Sequence, residues 1–192
     1  MHQLESIFWG ILAGLSAIFI ELMLFATFSL FANPGGEISM TKFFTLPFFV
    51  IAIAFVEEFC KYTVIATRIE KFSLKWSYFL NSLLVGLGFL AVELGLILEV
   101  GNIPSAALFS ELAIIHLGTA AIIGYVITFN NPKKISTFFL AVFPALVFHA
   151  SYNILSLGQN MLTDYARNAL LLVLVFLIFF LALNTRRKLA QE

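Results

Sequence analysis

Residues 54–64, AFVEEFCKYTV, set two adjacent carboxylates and an ammonium inside a run that otherwise reads as lipid-soluble. The solvent around that run decides the fold. Of the 192 residues, 61% are hydrophobic, only 11% are charged and 23 are Phe, and the mean hydropathy is +1.00. A soluble domain carries about 25% charged residues and has no interior large enough for this much apolar surface. The chain therefore reads as an integral membrane protein whose first partner is the lipid bilayer. Its zero formal net charge, with only short basic clusters between apolar runs, argues against a nucleic-acid partner, which needs clustered Lys and Arg on one face.

A bilayer core takes about 20 apolar residues per helix. Turn signals divide the chain into six such runs, roughly 7–32, 44–66, 77–100, 106–129, 135–157 and 168–185. The breaks are NPGGE, RIEKFSLKW, GNIPS, NNPKK and GQNMLTDYARN. The expected fold is all-α: a polytopic membrane helical bundle of about six transmembrane helices, forming one integral-membrane domain over residues 1–192. The start, MHQLES, lacks the basic region of a cleavable signal peptide, so the first run is read as a retained span. Arg68, Lys71 and Lys75 follow span two, Lys133 and Lys134 follow span four, and Arg186, Arg187 and Lys188 follow span six. The opposite loops hold only Lys42 and Arg167. By the positive-inside rule both termini are cytoplasmic. No internal repeat of the transporter kind is visible, and nothing in the sequence sets an oligomeric state.

In span one, Gly10, Gly14, Ala17 and Glu21 fall on one helical face, which lets a second helix approach closely. Glu21 has the chemistry of a catalytic acid, but a structural hydrogen bond at that contact is the favoured expectation. Gly88, Ala91 and Gly95 form a similar face in span three, read as packing rather than a substrate gate. The single cysteine, Cys60, excludes an intrachain disulfide and reads as an inert buried thiol.

An ionised side chain at the centre of a spanning helix costs about 2.5–3.5 kcal/mol on insertion scales, so Glu57, Glu58 and Lys61 must face protein or water. Lys61 lies four residues after Glu57 and three after Glu58, within reach of either, which leaves one carboxylate unpaired. Three further spans carry polar groups at similar depth: Glu93, His116, and His149 with Asn153 one turn later. Each alone has a packing explanation. Together, at one level of the membrane, they point to a functional cavity.

The ordered set EEFCK, FLAVE, His116 and HASYN resembles the PrsW family of intramembrane proteases, in the clan that includes the CAAX prenyl endopeptidases and the bacterial CPBP proteins. The family's pattern of EExxK, FxxxE, a His, and HxxxN or HxxxD is met by Glu57, Glu58 and Lys61, by Phe89 and Glu93, by His116, and by His149 and Asn153. The resemblance runs from residue 57 to 153 and implies a catalytic core over about 44–157. It implies an intramembrane endopeptidase in a prokaryotic cell membrane, cutting a membrane-associated protein or peptide such as an anti-sigma factor or a lipidated or bacteriocin-related peptide. Glu57 would activate a water with help from Glu93, and His149 and Asn153 would stabilise the oxyanion. Glu58 and Lys61 would hold Glu57 in place, and His116 would either orient the water or act as an acid.

Three rival readings stand beside this one. Glu93, His116 and His149 have the side-chain types of a catalytic zinc site, but HExxH is absent, so metal-free glutamate chemistry is favoured over a zinc cofactor. A proton-coupled transporter also needs Glu, His and Lys near the midplane. A noncatalytic scaffold is suggested by a fold relative within the clan, the Aph subunit of gamma-secretase.

Overall fold

Helix is the only way a chain this apolar can satisfy its own backbone in lipid without closing a barrel. The computed structural model describes residues 2–31, 38–68, 75–99, 101–158 and 160–191. The NPGGE break, Lys71 and the side chain of Lys75 lie outside the described residues. Among the described residues the chain forms seven α-helices: α1 (His2–Phe31), α2 (Met40–Phe43), α3 (Pro47–Thr67), α4 (Lys75–Glu99), α5 (Ala106–Phe129), α6 (Ile135–Leu157) and α7 (Met161–Leu189). By length and composition α1, α4, α5, α6 and α7 can each cross a membrane. Helix α3, 21 residues long, packs among them as the sixth long member of the bundle. The charges of VEEFCK set it apart.

Local chemistry fixes most boundaries. Ser105 caps α5 by accepting the Leu108 N–H at 3.1 Å, and Pro47 opens α3 where a missing N–H costs nothing. The run expected at 168–185 begins earlier, at Met161. Asn160 and Thr163 form a reciprocal capping box there, so most of the polar GQNMLTDYARN stretch is helix rather than loop. The short α2 was not foreseen; Ser39 caps it, and its Phe43 anchors an aromatic cluster with Phe25, Phe28 and Phe49.

Helix α5 is the axis, packed against α3, α4, α6 and α7. It is the most buried of the candidate spans, as a helix packed against four others must be. Helices α1 and α4 meet backbone to backbone: a Cβ on Gly10 would strike the Val85 carbonyl, and one on Gly88 would strike that of Ile7. The close approach expected of the span-one face is therefore present. The expected α4 face is not a unit, since Gly88 lies in the seam while Ala91 is exposed and Gly95 has open space beside it.

The bundle wears its apolar side chains outside. Phe139, Phe143, Phe176 and Phe180 are all more than half exposed, while Glu58, Lys61, His116 and His149 are at most 3% exposed. In water that surface would drive aggregation, and in lipid it is the solvated surface. The cations collect at one end, with Arg68 over Trp9, Arg186 over Trp76 and Lys188 over Phe129.

Candidate active site

Glu57 and Glu58 are neighbours in sequence but point about 100° apart around α3. Glu58 turns toward α5 and α6. Its Oε1 accepts Lys61 Nζ at 2.7 Å and lies 2.5 Å from His149 Nδ1. Lys61 Nζ also donates to Thr119 Oγ1 at 3.1 Å and sits 4.7 Å from the centroid of the Phe89 ring. The buried ammonium thus has a counter-ion, a second acceptor and an aromatic face, which is how its burial is tolerated. A carboxylate that takes an ammonium proton has none to give, so His149 Nδ1 is the donor to Glu58. The other ring nitrogen, Nε2, is thereby aimed at Glu57, whose Oε2 lies 3.3 Å away.

Glu57 turns toward α1 and α4. Glu57 and Glu93 border one partly open cavity of about 160 Å³, lined also by Gly14, Ala17 and Phe89 and shared with Glu21 of α1. Glu93 pairs through Oε2 with His116 Nε2. The His116 and His149 rings stand edge to face, centroids 5.4 Å apart. Glu57 Oε2, Glu21 Oε1 and the second oxygen of Glu58, Oε2, are buried and receive no hydrogen bond from the described residues.

Four helices therefore bring together Glu57, Glu58, Lys61, Glu93, His116 and His149, as their common depth in the sequence led one to expect. Asn153 is half-buried one turn beyond His149 and makes no hydrogen bond among the described residues. One member was missed and one was read mainly as packing. Thr119 gave no signal beyond its place one turn after His116. Glu21 was expected to make a structural hydrogen bond and instead enters the cavity without one among the described residues. Its signal was there: it continues the face of Gly10, Gly14 and Ala17 that packs on α4, and α4 carries Glu93. Glu58 also does more than steady Glu57, since it fixes His149.

Carboxylates and imidazoles are donor types that zinc takes. In this arrangement His116 Nε2 faces Glu93 and His149 Nδ1 faces Glu58. Among the described residues no group of three or more His, Cys, Asp or Glu is placed to hold a metal.

Apolar helices outside and a buried carboxylate–imidazole constellation beside a cavity define a polytopic membrane protein built around an intramembrane polar site. The sequence profile described as "PrsW family intramembrane metalloprotease" matches residues 2–183, and the chain belongs to that family. It is thus one of the membrane proteases, and the likeness extends beyond residues 57–153 to take in α1 and most of α7. No curated protein and no solved structure matches the chain significantly.

Proposed function

We propose that this chain hydrolyses a peptide bond in a membrane-embedded protein or peptide, using a water activated by Glu57. The observation that carries the reading is the division of labour on α3: Glu58 holds Lys61 and His149 through its Oε1, while Glu57 borders the cavity with an oxygen 3.3 Å from His149 Nε2. Glu57 takes a proton from water as the oxygen adds to the scissile carbonyl carbon. General-base help of this kind contributes roughly 10²–10⁴-fold.

The developing oxyanion accepts hydrogen bonds from His149 Nε2–H, which turns from Glu57 as that carboxylate takes the water's proton, and from the Asn153 amide, a donor of this type being worth about 2.7–4 kcal/mol. Glu93, oriented by His116, holds the water from its other side. When the C–N bond breaks, Glu57 returns its proton to the leaving nitrogen. The end of the bundle bearing Arg68, Arg186 and Lys188 is assigned to the cytoplasm. The catalytic core lies between α3 and α6.

The test is cleavage of a pool of quenched transmembrane and juxtamembrane peptides by purified wild type and Glu57→Gln, with metal content measured on the same samples. Cleavage lost in the variant, without stoichiometric metal, is the expected result. Equal cleavage by both proteins would overturn the role of Glu57. Stoichiometric metal with chelator-sensitive cleavage would overturn the metal-free mechanism.

A further inference from the structure

Hydrolysis at this depth consumes water in a place where lipid supplies none, so the site needs a means of holding it. We infer that Glu21 of α1 is a positioning residue that anchors water in the cavity and keeps Glu57 and Glu93 supplied with it. The inference rests on the hydrolytic reading above and adds a residue from outside the motifs that carry it.

Three observations converge. First, Glu21, Glu57 and Glu93 border the same cavity. Its volume of about 160 Å³ has room for several waters at roughly 30 Å³ each. Second, Glu21 Oε1 is a buried acceptor with no donor among the described residues, and Glu57 Oε2, though 3.3 Å from His149 Nε2, receives no hydrogen bond there. A buried acceptor left dry is costly, and water is the donor small enough to reach both. Third, α1 is not free to swing Glu21 out. The backbone contacts of Gly10 with Val85 and of Gly88 with Ile7 clamp α1 on α4 about three to four turns away, so the carboxylate is held over the cavity.

The neighbouring groups fit the assignment. From α4 the cavity receives Glu93, which His116 already engages. From α3 it receives Glu57, whose nearest cation-forming group is His149 at 3.3 Å. Lys61 is committed to Glu58 and Thr119. No protein donor is left over for Glu21 among these residues, and the acceptor faces solvent-sized space.

Two measurements test this, and the first does not depend on proteolysis. In a Cys60→Ala background, Glu21→Cys and, separately, Leu22→Cys are treated with ethyltrimethylammonium methanethiosulfonate in proteoliposomes. Leu22 is exposed on the lipid side of the same turn. Because only a hydrated thiol ionises to the reactive thiolate, Glu21→Cys should react at least about ten-fold faster. Equal rates at the two positions, both fast or both slow, overturn the wet cavity whether or not the protein is a protease.

The second measurement is a kinetic split. Glu21→Leu keeps the bulk but cannot hold water, and should lower kcat about 100-fold with KM little changed. Glu21→Gln keeps an acceptor oxygen and should restore most of that loss. Unchanged kcat in Glu21→Leu, a change confined to KM, or equal losses in the Leu and Gln variants each overturn the assignment. Should Glu21→Leu fail to fold, Glu21→Ala replaces it under the same criteria. Failure of the hydrolytic reading shows separately, as full activity in Glu57→Gln.

Discussion

Two clusters share the middle of the bundle and treat charge in opposite ways. In the cluster of Glu58, Lys61, His149 and Thr119, the ammonium and the shared carboxylate oxygen are both answered within hydrogen-bond distance, and only Glu58 Oε2 is left without a donor among the described residues. In the cavity of Glu21, Glu57 and Glu93, two carboxylate oxygens are buried without a donor among the described residues. One residue step along α3 separates the two regimes. The first is what a buried charge requires to be tolerated at all, and the second is what a reacting group requires to stay available for water. Adjacent glutamates thus divide support from chemistry because a helix turns about 100° between them.

The largest effects come from exchanging each glutamate for its amide. Glu57→Gln should keep the thermal stability of the detergent-solubilised protein and lower cleavage about 10³-fold. Glu58→Gln should instead destabilise by about 3–5 kcal/mol, because it leaves Lys61 as an uncompensated buried charge. The double variant Glu58→Gln with Lys61→Met should recover most of that stability, since both charges are then gone. Its cleavage should stay low, because His149 has lost the carboxylate that aims it. Thermal melts and peptide cleavage on the same preparations check all three. Matching signatures for Glu57→Gln and Glu58→Gln would erase the distinction between the clusters.

That distinction was only partly legible in the sequence. Hydropathy and turn residues located the long helices, and two of them, Ala106–Phe129 and Ile135–Leu157, coincide with the expected runs because Ser105 and the NNPKK turn mark their starts. The start of α7 was hidden because Asn160 and Thr163 make a capping box inside a stretch whose polarity reads as loop. The motifs named Glu57, Glu58, Glu93, His116 and His149. Spacing on α3 showed that Lys61 reaches either acid, but choosing Glu58 takes Thr119 and His149, which are 58 and 91 residues from their partners. Glu21 was seen and given the wrong surroundings, since a single helix does not say whether its neighbour brings a donor or another acid.

A smaller effect sharpens the account of the saturated cluster. Thr119→Val keeps the shape of the side chain while removing the second acceptor of Lys61, which lies 3.1 Å away. A hydrogen bond to a charged group is worth about 1.5–3 kcal/mol, so stability should fall by that much. Because Glu58 still holds both Lys61 and His149, cleavage by the folded fraction should change far less than in Glu58→Gln. A cleavage loss as deep as that of Glu58→Gln, at a stability loss this small, would mean that Lys61 acts on the reaction directly.

The smallest expected effect lies at the far end of α6 and asks where support ends. Tyr152, beside Asn153, donates its hydroxyl to Glu111 Oε2 at 3.1 Å. That carboxylate also faces Arg167 Nε at 3.4 Å, and Arg167 reaches Asp164 at 3.2 Å. The network joins α6 to α5 and α7. Tyr152→Phe removes one link and leaves Glu111 with Arg167, so no charge is stranded, and the loss should be about 1 kcal/mol. His149 is set three residues earlier by Glu58, independently of this strut, so cleavage should stay within about three-fold of wild type, under 1 kcal/mol of barrier. A much larger fall in kcat, with stability nearly intact, would mean that Tyr152 places the Asn153 amide for the oxyanion, and the supporting cluster would then extend along α6 to its outer turn.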